Sequence, residues 1–176
     1  ERSLFATSTR VPTPGACGSP APERQVVAVC SYCGCESIDV IGRFMAEHVD
    51  IINASGVLRR ACEHGDDTAV VAAADALAGL LHPHTGAEEA GLFAVLAEDE
   101  EFTEHVGSLC AEHTALDAAL AAVRGGDHAS FPAFELALRH HIDREENGLF
   151  PAAAIAFAGM EWERVTALTP AAPSRP

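Results

Sequence analysis

The chain is predicted to be an all-α protein: an antiparallel up-down-up-down four-helix bundle with a short extra C-terminal helix and a non-helical, cysteine-containing N-terminal segment. Three observations lead there. Four long stretches place apolar residues three and four positions apart. Alanine and leucine dominate, with few β-branched runs. The stretches are joined by short turns rich in glycine and aspartate. At 176 residues the chain holds one such domain with a sizeable core.

Residues 1–28 are rich in proline and show no helical or strand period, so they are expected to form an extended or disordered tail. The bundle, with its N-terminal cysteine segment, is assigned to 29–168, and 169–176 is read as a second tail. The first helix is expected from about Asp39 to Glu63, with Ile41, Phe44, His48, Ile51 and Leu58 on one stripe. The second, from about Asp67 to Glu98, carries Leu77, Leu81, His84, Glu88 and Leu92. Pro83 lies inside it and should kink the helix, with Gly79 easing the bend; alternatively, a new helix begins there. The third, from about Phe102 to Arg124, carries Val106, Leu109, His113, Leu116 and Leu120. The fourth, from about Phe131 to Phe157, carries Phe134, Leu138, His141, Glu145 and Leu149. Turns at His64–Asp67 and Gly125–Asp127 supply helix-starting aspartates, and a short fifth helix is expected around Trp162.

The second and fourth helices repeat one pattern. Leu81, His84, Glu88-Glu89 and Gly91-Leu92-Phe93 recur as Leu138, His141, Glu145-Glu146 and Gly148-Leu149-Phe150. The first and third share Ala46-Glu47-His48 and Ala111-Glu112-His113, so the chain reads as two similar hairpins. His48 and His84 lie nearly equally far from the first turn, as do His113 and His141 from the second. Equal arms of an antiparallel hairpin bring both residues to one height, because each residue advances about 1.5 Å. Glu88 and Glu145 follow one turn later on the same inward faces.

Four imidazoles and two carboxylates would then meet among leucines and phenylalanines. A buried, unpaired carboxylate costs several kcal/mol or takes up a proton. A pair of cations removes that cost, with imidazoles as terminal ligands and carboxylates bridging. Mixed nitrogen and oxygen ligands suit iron or manganese, admit zinc and disfavour calcium. A lone histidine on an apolar face is usually a hydrogen-bonded core residue; two His-x-x-x-Glu pairs, each opposed by another histidine, reverse that expectation. His64, His82, His105, His128 and His140 fall at turns or off the repeat, and His140 is expected to be solvated. A ferritin-type oxidase is disfavoured, because the chain contains no Glu-x-x-His.

With His48, His84-x3-Glu88, His113 and His141-x3-Glu145, and the trailing Glu146-Asn147-Gly148-Leu149-Phe150-Pro151, the chain resembles the hemerythrin or HHE cation-binding family over roughly residues 38–157. The resemblance implies a non-haem di-iron centre, oxo- or hydroxo- and carboxylate-bridged, with manganese or zinc as alternatives. It implies functions in oxygen binding, in nitric oxide or peroxide responses, or in iron–sulfur cluster repair. Oxygen carriers of the family have a fifth histidine one turn after the third-helix histidine; here that position is Asp117. The set therefore resembles the four-histidine, two-glutamate version associated with nitric oxide and cluster repair. Asp117 is read foremost as an acceptor for an imidazole N–H, otherwise as an extra ligand or a solvated residue. Glu89 and Glu146 are alternative carboxylate ligands or supports.

Cys30, Cys33 and Cys35 form a candidate second metal or redox site, with inert thiols as the other reading; Cys62 and Cys110 are expected in the core. The net charge of −15 disfavours nucleic acid and anionic membrane surfaces as partners. No apolar run reaches the roughly 18 residues of a membrane span, no charged leader precedes an apolar run, and a reducing cytoplasm is the expected compartment. The leading functional expectation is a di-iron protein for a small diatomic or peroxide ligand, acting as sensor, scavenger or store. An enzyme-like role using the N-terminal cysteines and a structural zinc bundle are the alternatives; catalytic residues and a protein partner are not assigned.

Overall fold

The four periodic stretches become four helices, and single residues set the turns between them. The computed structural model of the chain describes residues 34–172. Helix α1 spans Asp39–His64 and stops at Gly65, whose φ of 66° is the left-handed conformation glycine adopts without a Cβ penalty. The Asp66 carboxylate then accepts from the Ala69 N–H at 3.0 Å and starts α2, Asp67–Glu88. Asp99 does the same for α3, Glu100–Arg124, accepting from the Glu101 N–H at 2.9 Å. Asp127, expected to start the fourth helix, instead opens a 3-10 turn at His128–Ser130 without a side-chain cap. That turn leads into α4, Phe131–Arg144, with a proline in its first turn. A short α5, Gly159–Leu168, follows, as the sequence led us to expect.

Two departures from simple α-helix lie beside the repeat. After Glu88 the second helix passes into a π-helical segment, Glu89–Phe93, and one last turn, Ala94–Leu96. After Arg144 the fourth does the same at Glu145–Leu149, continuing as Phe150–Ala156. A π turn takes one residue more than an α turn. Here it lets both residues of each Leu-Phe pair, Leu92-Phe93 and Leu149-Phe150, turn fully inward. Helix α2 runs unbroken through Pro83, so no new helix begins there. A π segment follows the His-x-x-x-Glu pair in both helices, with Pro83 only in the first of them.

Helix α1 packs on α2, α2 on α3, α3 on α4 and α4 back on α1, closing an antiparallel ring. Its interior has two apolar layers. Ile51, Leu58, Leu77, Leu81, Leu116, Leu120, Phe134 and Leu138 fill the end near the two hairpin turns. Ile41, Phe44, Leu92, Phe93, Leu96, Leu109 and Phe150 fill the other, which α5 closes with Val165. Burying each such side chain is worth about 1.5–3 kcal/mol. Between the layers lies a band of buried polar residues: His48, His84, Glu88, His113, His141, Glu145 and Glu146.

Among the described residues no helix is long and apolar enough to cross a membrane. Cys35 is buried in the layer beneath α5 and lies in a 3-10 turn, Cys35–Ser37, where an irregular segment was expected. Cys30 and Cys33 lie outside the described residues, as does the whole of the expected N-terminal tail. Cys62 and Cys110 are only partly buried, packed at the edges of the two layers.

Candidate metal centre

The equal hairpin arms bring the histidines together in pairs. The His48 and His84 rings are 4.6 Å apart between centroids, and those of His113 and His141 are 4.7 Å apart, both edge to face. All four are nearly inaccessible, His113 being the most exposed at 7%. Glu88 and Glu145 lie between the pairs and are fully buried. Glu88 approaches His84 Nε2 at 3.3 Å and His113 Nε2 at 3.5 Å. Glu145 approaches His48 Nε2 at 3.2 Å and His141 Nε2 at 3.3 Å. Each carboxylate therefore faces an imidazole from each hairpin.

The outer face of each ring is held by a further glutamate. His48 Nδ1 donates to Glu146 at 2.9 Å, His84 Nδ1 to Glu47 at 2.9 Å, His113 Nδ1 to Glu89 at 2.7 Å and His141 Nδ1 to Glu112 at 2.9 Å. An ionised carboxylate can only accept, so Nδ1 carries a hydrogen and Nε2 faces inward, where its lone pair is open to a metal whenever the ring is neutral. That is the tautomer a metal needs, and the outer carboxylate also raises the basicity of the ring. Support is exchanged between repeats. Glu47 and Glu112 serve the histidine of their own hairpin partner helix, whereas Glu146 and Glu89 serve the other hairpin. Phe150 stacks on His48 and Phe93 on His113 in the same crosswise sense. Arg43 and Arg144 in turn bind Glu47 and Glu112.

On the inner side the hydrogen bonding fails. Nine buried side-chain nitrogen and oxygen atoms among the described residues lack a hydrogen-bond partner. Eight of them are the Nε2 atoms of His48, His84, His113 and His141 and both oxygens of Glu88 and Glu145; the ninth is His105 Nε2, outside the cluster. The approaches above are close enough for attraction but are not aligned as hydrogen bonds. Orphaned polar atoms at this depth are costly. They form two overlapping sets, His48–His84–Glu88–Glu145 and Glu88–His113–His141–Glu145, with one ligand atom per residue and all atoms of a set within 4.8 Å of one another. Both carboxylates belong to both sets, which is the donor arrangement for two cations sharing bridges.

Among the side chains alone, the charges are divided unequally. Burial, with Glu145, Glu47 and Glu89 nearby, pushes Glu88 well above the usual carboxylate range. Burial pushes Glu145 the same way, but the imidazoles of His113, His141 and His48 outweigh it and hold Glu145 well below that range. Burial would lower His48, yet Glu145 and Glu146 raise it to about 9. Burial dominates at His84, which falls to about 4.

The structure thus brings together the six residues singled out as metal-ligating and turns Glu89 and Glu146 into imidazole supports. Asp117 is elsewhere. It is exposed and pairs with exposed His82 at 2.7 Å, touching none of the four buried rings. Leu116 takes the inward position instead. His140 is exposed, as expected. Glu47 and Glu112 were missed as functional residues, although the repeated Ala-Glu-His was their signal.

A helical bundle with this buried donor set is a metal-cation-binding domain. The model of the hemerythrin HHE cation binding domain matches residues 39–153, more than half of the chain, and the protein belongs to that family. Comparison with curated proteins and with solved structures finds no match.

Proposed function

We propose that the protein holds two iron ions and binds or responds to a small diatomic or peroxide ligand, as a sensor, scavenger or store. The observation that carries this reading is the set of eight inward donor atoms without hydrogen-bond partners, shared as two overlapping groups. His48 and His84 would hold one ion, His113 and His141 the other, and Glu88 and Glu145 would join both. Iron in such a nitrogen and oxygen set supplies reversible electron transfer and a Lewis-acidic binding position. The protein's part is orientation and exclusion. Four outer glutamates fix the imidazoles, and Phe44, Phe93 and Phe150 line the site on one side, so that water is kept out and only a small molecule reaches the ions. The four-histidine, two-glutamate set, with Asp117 turned to solvent, favours a role in nitric oxide response or iron–sulfur cluster repair over simple oxygen carriage.

Elemental analysis of protein purified without added metal should find two irons per chain. Anaerobic reduction followed by oxygen or nitric oxide should then produce new ligand-to-metal absorption bands. Zinc without iron, or a spectrum unchanged by either gas, overturns the reading.

A further inference from the structure

Residues 169–172, read from the sequence as the start of a tail, touch the supports of the centre at two points. The first is Thr169, whose hydroxyl donates to the Val165 carbonyl at 2.7 Å and which lies directly on Gly91. Gly91 is the middle of the π segment that follows Glu88 and begins with Glu89. A Cβ at position 91 would stand 1.9 Å from Thr169 Oγ1, 3.0 Å from its Cβ and 3.2 Å from its Cα. Rotating the threonine relieves the first contact, but the other two involve its Cβ and Cα, so the C-terminal segment itself must give by a few tenths of an ångström. The second point is Pro170, whose carbonyl accepts from Arg43 at 2.6 Å. Arg43 also donates to Glu47 at 2.8 Å, and Glu47 accepts from His84 Nδ1. Beyond it, Ala172 walls a cleft of about 240 Å³ that also borders Glu47, Pro83 and His84.

The second hairpin has the same parts without this attachment. Gly148 repeats Gly91, yet the nearest atom to a Cβ there is His105 Cε1 at 3.9 Å. Arg144 with Glu112 repeats Arg43 with Glu47, but the other partner of Arg144 is the Ser108 hydroxyl of α3. The corresponding cleft, bordered by Glu112, Ala115, Leu116 and His140, has none of residues 169–172 in its wall.

We propose that residues 169–172 clamp the side of the centre built by the second helix and its π segment, steadying the imidazoles of His84 and His113, with Thr169 on Gly91 and Pro170 on Arg43 as the two attachments. Thr169 and Arg43 are positioning residues, acting through the π segment and through Glu47. Resting on the two-metal reading, the clamp makes the two repeats unequal: Glu47 and Glu89, the supports of His84 and His113, depend on the C-terminal segment, whereas Glu146 and Glu112, the supports of His48 and His141, do not.

Three variants test this: Gly91→Ala, Gly148→Ala as its counterpart, and a chain ending at Leu168. Iron-loaded protein is mixed with excess chelator and the release of each ion is followed, while amide hydrogen exchange of Glu89–Leu96 is measured on metal-free protein. In Gly91→Ala and in the shortened chain, iron should leave at least tenfold faster, and exchange in Glu89–Leu96 should rise. Gly148→Ala should match the parent, and adding Gly91→Ala to the shortened chain should change nothing further. Equal effects of Gly91→Ala and Gly148→Ala, or a Gly91→Ala effect that persists in the shortened chain, would each overturn the clamp. Should Gly91→Ala not fold, the shortened chain carries the test alone. Raised exchange without any iron loading would sink the metal reading and leave the clamp standing; two loaded irons with unchanged exchange would do the reverse.

Discussion

Glu88 and Glu145 occupy equivalent places in the repeat but sit in opposite electrostatic surroundings. Glu88 is pushed toward its neutral form by burial and by acidic neighbours, while three imidazoles keep Glu145 ionised. In metal-free protein at neutral pH, Glu88→Gln should therefore be at least as stable as the parent, because an amide resembles a protonated acid. Glu145→Gln should lose about 1–3 kcal/mol, the usual cost of leaving buried polar partners unsatisfied. Urea denaturation of the two variants separates these outcomes, and equal losses would mean that both carboxylates are charged. Outside the ligands, Glu112→Ala removes the acceptor of His141 Nδ1 and the partner of Arg144. Metal affinity should fall about 10–100-fold with the fold intact, as read by competition against a chelator. At this scale the ligands were legible and their supports only partly so. Asp117 shows why: residues three and four after His113 both neighbour it on the helix, and packing gave the inward place to Leu116.

The elements follow from local chemistry wherever a cap or a glycine marks a boundary. Asp66 holds the start of α2 through one exposed hydrogen bond to Ala69. Asp66→Ala should cost about 1 kcal/mol in a denaturation experiment, with metal stoichiometry unchanged because the histidines lie several turns away. Equal hairpin arms were readable from the positions of four histidines relative to two turns, and the ring separations agree. The π segments were not readable. The spacing Glu88, Leu92 and Glu145, Leu149 fits an ordinary α-helix, and the extra residue per turn shows only in the backbone. Asp127 was misread for a related reason: an aspartate before a helix can cap it or open a turn, and here a 3-10 turn takes up the intervening residues.

Across the whole molecule, the buried donor band divides the interior into two apolar layers, so the ions would be part of the core rather than attached to it. Removing them should expose the cost of eight unsatisfied atoms. A free metal concentration 100 times the dissociation constant should add about 2.7 kcal/mol of stability for each ion bound. Calorimetry with and without chelator measures this, and an unchanged melting temperature would mean that the band is satisfied without metal. The two-hairpin plan was visible in the repeat, whereas the docking of residues 169–172 was not, because contacts so far apart in the chain leave no local pattern. The crosswise supports carry one more consequence. His48 borrows its acceptor and its stacking ring from Glu146 and Phe150, and His113 borrows Glu89 and Phe93 in return. Either hairpin made alone would thus be half of a lock, with its own key cut on the missing piece, and it would regain a complete interior only by pairing with a second hairpin.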